Sequence, residues 1–77
     1  MYKICFYVPE AHAEEVKMAM FEAGAGKIGR YSCCAWQTLG TGQFMPLSGS
    51  HAFIGETDRL EKVIEYKVEM VCDEAFM

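Results

Sequence analysis

The sequence predicts an α+β domain in which an antiparallel sheet carries one helix on one face. Three observations lead there. Residues 2–8 and 63–72 alternate in character from one residue to the next, residues 10–23 repeat at helical spacing, and all seven glycines fall between positions 24 and 56. Alternation is the period of a strand, and the wider repeat is the period of a helix.

The first strand is predicted over residues 2–8. Tyr2, Ile4, Phe6 and Val8 share one face, and Lys3, Cys5 and Tyr7 the other. Nearly all are apolar or aromatic, which predicts a neighbour on each side. Pro9 ends the strand and suits the first turn of a helix. Ala13, Val16, Met20 and Ala23 then mark one helix face, with Ala19 beside them. Glu10, Glu14 and Glu15 fall in the first half, where the helix dipole favours acids. Gly24 supplies a left-handed stop.

Residues 31–39 predict a second strand, with Tyr31, Cys33, Ala35, Gln37 and Leu39 opposite Ser32, Cys34, Trp36 and Thr38. Residues 40–56 show no period. Their glycine, proline and serine content predicts one long loop, and long loops tend to be functional. Phe44, Leu47, Phe53 and Ile54 predict that the loop packs on something. Residues 58–62 read as a polar connector. Residues 63–72 form the clearest strand, with Ile64, Tyr66, Val68, Met70 and Cys72 alternating with Glu65, Lys67, Glu69 and Val71. Residues 73–77 look like the cap and first turn of another helix. The order βαββ is the first two-thirds of a ferredoxin-like βαββαβ unit. The sequence thus predicts a unit cut after its third strand, which leaves residues 2–8 at an edge and calls for pairing with another chain.

At 77 residues the chain is one small domain, near the lower limit for folding without staples. Its composition is 52% hydrophobic and 23% charged, which is globular. A net charge of −4 with no Lys/Arg cluster excludes nucleic acid and anionic membrane as natural partners. No apolar run reaches the roughly 20 residues of a membrane span, and the first residues lack a cleavage site. The expected compartment is the cytoplasm, and the expected cysteines are reduced. Cys33 and Cys34 are adjacent and point to opposite faces of a strand, while Cys5 and Cys72 lie inside strand-like runs.

Two motifs invite stronger readings. Gly24-Ala-Gly-Lys-Ile-Gly29 has the G-x-G-x-x-G spacing of a dinucleotide site. That chemistry needs a strand before and a helix after, so that the helix N-terminus meets the pyrophosphate. Here the order is reversed, and a helix cap followed by a turn is the better reading. His12, His51 and the cysteines show no metal-ligand spacing, so no metal or cofactor is expected.

Val8-Pro9-Glu10, residues 23–31 with their three glycines, Trp36-Gln-Thr38, Gly40-Thr-Gly-Gln-Phe44, residues 46–50 and residues 53–56 together resemble the YqfO-type domain inserted in Nif-three-like (NGG-one-interacting-factor-like) proteins. The resemblance covers nearly the whole chain. It implies a ferredoxin-like fold similar to the PII signalling proteins and CutA. Those relatives form trimers, and PII binds nucleotides beside the loop between its second and third strands. The two-metal site of full Nif-three-like proteins lies in the flanking domain and has no counterpart here, so the GTP cyclohydrolase label of that family does not carry over.

The expectation is therefore a non-catalytic regulatory or small-molecule-binding domain. Its candidate ligand residues are Lys27, Arg30, Gly40, Gly42, Phe44, His51 and Glu56, taking a small anionic metabolite. The alternative is an oligomerisation module, a homo-oligomer of two or three chains, joined through Tyr2, Ile4, Phe6, Phe44 and Phe53. A metal- or thiol-dependent enzyme is the third reading. The cysteine expectation is directly testable. Denatured, unreduced protein should titrate as four free thiols, and elemental analysis of the folded protein should find no stoichiometric zinc; a Cys33–Cys34 bridge or bound zinc would overturn it.

Overall fold

The last described strand organises the molecule. In the computed structural model, which describes residues 1–49 and 58–73, the elements run β1 (Tyr2–Pro9), a 3₁₀ turn (Glu10–His12), α1 (Ala13–Glu22), β2 (Trp36–Phe44) and β3 (Glu61–Cys72). β3 lies between the other two strands and pairs antiparallel with both. β1 and β2 therefore run parallel, joined through α1 and split by β3, as in the first part of a βαββαβ unit. Among the described residues β1 has a neighbour on one side only.

Register fixes the two faces. Ile4, Phe6 and Val8 stand opposite Met70, Val68 and Tyr66, while Gln37 stands opposite Val68. Residues directly opposite each other share a face. This is the face that α1 covers. Its core is Val8, Ala13, Ala25, Val68, Met70 and Cys72, with Ile4, Phe6, Val16, Met20, Phe21 and Tyr66 packed around it. Val68 sits at the centre with 0% of its surface exposed. Burying one such side chain contributes about 1.5–3 kcal/mol.

The helix buries a slightly different stripe from the one expected. Ala19 and Ala23 are exposed, and Phe21 packs in their place. Lys17 also joins the stripe, only 16% exposed, with its Nζ 2.7 Å from Glu14 Oε2 and donating to Gln37 Oε1 at 2.6 Å. Its long stem lies along apolar surface while its ammonium group keeps polar partners. The pair ties α1 to β2. The first three residues of the expected helix form the 3₁₀ turn, and no side chain caps Ala13–Glu22.

The helix stop is as the sequence predicts. Gly24 has φ 111, its N–H donates to the Phe21 carbonyl, and the Ala25 N–H donates to the Met20 carbonyl. This is the Schellman pattern, which satisfies carbonyls the helix leaves open. Gly26 follows with φ 80. Its N–H donates to Val71 at 2.7 Å, and its carbonyl accepts from the Cys34 N–H at 2.8 Å. The Phe21 ring lies where a Cβ on Gly26 would fall, at 2.8 Å. One glycine thus joins the end of α1, the approach to β2 and the end of the β3 ladder.

The second strand corrects the sequence reading at both ends. It begins at Trp36, not 31, because Cys33 takes φ 56 and breaks the extended run. Ahead of it, Ile28 and Tyr31 exchange two backbone hydrogen bonds across a turn with Gly29 (φ 56) at its first central position. At the far end the strand continues through Gly40 and Gly42 to Phe44, which stands opposite Glu61. The expected loop over 40–56 therefore starts after Phe44. Glycine is a poor strand former, but a strand is stabilised by its neighbours more than by its own propensity. β3 is correspondingly longer than residues 63–72. Residues 41–44 and 61–64 project beyond β1 as a two-stranded arm, which leaves Ile64 59% exposed on the expected apolar face. The molecule is 49 Å long against 22 and 17 Å in its other dimensions.

The glycines separate into those the fold needs and those it tolerates. Gly26→Ala should cost about 1–3 kcal/mol, from left-handed backbone and the displaced Phe21 ring. Gly40→Ala, with nothing within 4 Å of the new methyl, should be neutral or gain about 0.4–1 kcal/mol through a stiffer unfolded chain. Urea denaturation of both variants measures the contrast; equal midpoints would show that Gly26 is not a structural tie.

Candidate functional site

The sheet face away from α1 carries the polar half of the alternation. β1 contributes Lys3, Cys5 and Tyr7; β3 contributes Glu65, Lys67, Glu69 and Val71; β2 contributes Trp36, Thr38, Gly40 and Gly42. No described element covers this face. Tyr7 is 63% exposed and Trp36 57%. Large aromatic rings left in water on a strand are an observation to explain, since such residues usually pack.

Among the described residues, two depressions lie on this face. The larger, about 360 Å³, is lined by Lys3, Ile28, Cys34, Trp36, Glu69 and Val71 among others. The smaller, about 200 Å³, lies above Gly40 among Tyr7, Thr38, Thr41, Glu65 and Lys67. Small β2 residues open the second hollow: Gly40 has empty space where a side chain would stand, whereas Gly42 is roofed by the Glu65 carboxylate. A glycine inside a strand often marks close approach by another group.

Lys3 and Glu69 form an ion pair at the wall of the larger depression. The hydrogen bond from Lys3 holds the Glu69 carboxyl below the usual carboxylate range. The same bond, with the carboxylate charge, raises the Lys3 ammonium above its usual value. Cys34 Sγ lies 3.8 Å from the Ser32 carbonyl and is half-buried. All four cysteines are free thiols. Among the described residues, no group of three or more His, Cys, Asp or Glu side chains gathers as a metal site.

The structure redistributes the residues the sequence singles out. Gly40, Gly42 and Phe44 are strand residues rather than parts of a loop, so their backbone belongs to a ladder with β3. Lys27 and Arg30 are exposed near the Ile28–Tyr31 turn and line neither depression. His51, Phe53 and Glu56 lie outside the described residues. Of the interface candidates, Ile4 and Phe6 pack against the core under α1, which removes them from an outer surface, while Tyr2 is exposed. Lys3, Trp36 and Glu69 escaped the sequence reading as site residues. The alternation of β2 placed Trp36 on the face opposite Gln37, but its exposure depends on which face the helix takes.

No protein-family model matches this chain. Curated proteins do. The protein named GTP cyclohydrolase 1 type 2 homolog of Mycobacterium leprae is 49% identical over 69 residues, covering 90% of this chain and 18% of that protein. Its namesake in Halalkalibacterium halodurans is 43% identical over 74 residues, 96% of this chain and 20% of that one. The Bacillus subtilis namesake is 48% identical over 69 residues. Among solved structures, a Bacillus cereus protein related to NIF3 superposes with a TM-score of 0.79 at 39% identity, covering 96% of this chain and 18% of that chain. The chain thus spans about a fifth of the length of the relatives it matches.

The ion pair makes a pH signature. Glu69 is more acidic folded than unfolded, so its contribution is present above the unfolded carboxylate value and is lost as pH falls through the folded one. Lys3 is shifted upward, so its contribution is present below the unfolded lysine value and is lost as pH rises through the folded one. The stability difference between wild type and Glu69→Gln should therefore be level near neutrality. It should shrink below about pH 4 and again above about pH 10.5. Urea midpoints across pH test this; a difference that keeps its size at both extremes would show that the pair is not its source.

Proposed function

We propose that this chain, homologous to one segment of the NIF3-related proteins, is a non-catalytic regulatory module that takes a small anionic metabolite with a flat ring on the open face of its sheet. The observation that carries the reading is the 360 Å³ depression beside the exposed Trp36, with a lysine at its wall. A ring would stack on the indole and on Ile28 and Val71. Its anionic group would draw the Lys3 ammonium away from Glu69, exchanging one ion pair for another. The reading moves the binding place from the region after β2 to the sheet itself. Its likeness to PII and CutA belongs to the same proposal, as does treating residues 1–77 as a single such domain. So does a cytoplasmic setting, where the thiol pool keeps the four cysteines reduced. The activity in the relatives' name is assigned to none of these residues, because the chain matches only a fifth of those proteins.

Trp36 is the only tryptophan, so all indole fluorescence comes from the wall of the depression. Titration with nucleotides and carboxylate metabolites at millimolar concentration should shift the emission and raise the melting temperature, since a ligand at about 100 times its Kd adds about 2.7 kcal/mol. Trp36→Phe and Lys3→Ala should stay folded and weaken the effect. If no compound in the panel stabilises the protein, the ligand reading fails.

A further inference from the structure

We propose that two copies of this chain pair through β2, antiparallel about a two-fold axis at Gly40, to make one continuous six-stranded sheet. The proposal is independent of the ligand reading and rests on the outer edge of β2.

That edge lacks the usual protection. Natural edge strands are blunted by charge, proline or bulges, because an open row of N–H and C=O groups templates another strand. β2 is nine residues long and sits at the edge of the described sheet. Its sequence, Trp36-Gln-Thr-Leu-Gly-Thr-Gly-Gln-Phe44, holds no charged residue and no proline. Most of it is exposed.

The order of residues says what occupies the edge. About Gly40 the strand reads nearly the same in both directions: aromatic Trp36 and Phe44, then Gln37 and Gln43, then small Thr38 and Gly42, then Leu39 and Thr41. An antiparallel two-fold at Gly40 sets each of these opposite its equivalent. Trp36 meets the partner's Phe44 on the open face, at both ends of the pairing. Gln37 meets the partner's Gln43 on the helix side, amide to amide. At the axis Gly40 meets the partner's Gly40, where nothing lies within 4 Å of a Cβ position. Aromatic and amide cross-strand pairs are stabilising contacts of a sheet. Pro46, which has no N–H, ends the ladder just past Phe44. This symmetry has no consequence for a foreign strand. It matters only if the same strand lies on both sides, which is the isologous contact of a two-fold dimer.

The test places charge at the axis. Gly40 stands opposite Glu65 within its own sheet, so Gly40→Lys suits the folded chain while setting two ammonium groups against each other across the axis. Wild-type protein in sedimentation over a dilution series should move from 8.7 kDa to twice that mass. Gly40→Lys should weaken the dimer about fivefold or more. Mixing Gly40→Lys with Gly40→Glu should restore it as a heterodimer. Circular dichroism of each variant confirms the fold. A monomer at every concentration, a trimer, or a dimer indifferent to Gly40→Lys would each overturn the proposal.

Discussion

Everything in this fold depends on β3 being paired along both edges. Among the described strands β1 and β2 do not pair with each other; each is held in the sheet by β3. The strict alternation of β3 then decides what the two faces are. Val68, Met70 and Cys72 turn inward and are buried, so α1 must cover that side. Glu65, Lys67 and Glu69 turn the other way, and the remaining strands follow by register. Trp36 and Tyr7 face water because they stand opposite charged residues of β3, not because they are polar themselves.

The helix is secured to this sheet by few groups. Apolar packing from Ala13, Val16, Met20 and Phe21 provides the area. Direction comes from two polar ties, Lys17 to Gln37 and Gly26 to Val71. The second lies between backbone groups, so it is insensitive to side-chain identity except at Gly26, where a left-handed φ and the Phe21 ring exclude any other residue at low cost. The three glycines of the 24–29 run serve three separate backbone needs: a helix stop, this tie, and a tight turn. Their resemblance to a dinucleotide fingerprint follows from spacing alone.

Much of the fold was legible because its signals are local. The alternation of β1 and β3 and the glycine stop of α1 are statements about neighbouring residues, and they hold. β2 was displaced in the reading for two non-local reasons. Gly40 and Gly42 are strand residues only because β3 is long enough to pair with them, and the turn at Cys33 depends on backbone geometry that its side chain does not announce. Phe21 lies off a stripe that runs through alanines, and alanines contribute too little area to decide a helix face. The candidate site was legible as a face but not as a place. Period two puts Trp36, Thr38, Gly40 and Gly42 on one side, yet only the packed helix shows that this side is the open one.

The central position of β3 also has a meaning in time. The ribosome delivers β1, α1 and β2 first, and none of them can form a sheet with the others. Each must wait for residues 61–72, the last strand described, before its backbone groups find partners. Nearly all sheet contacts therefore close long loops, the kind of topology that folds slowly and leaves intermediates exposed. During that interval the uncharged run of β2 is a free strand with no gatekeeping charge. The same nine residues that complete the sheet in the finished protein are its most association-prone stretch on the way there.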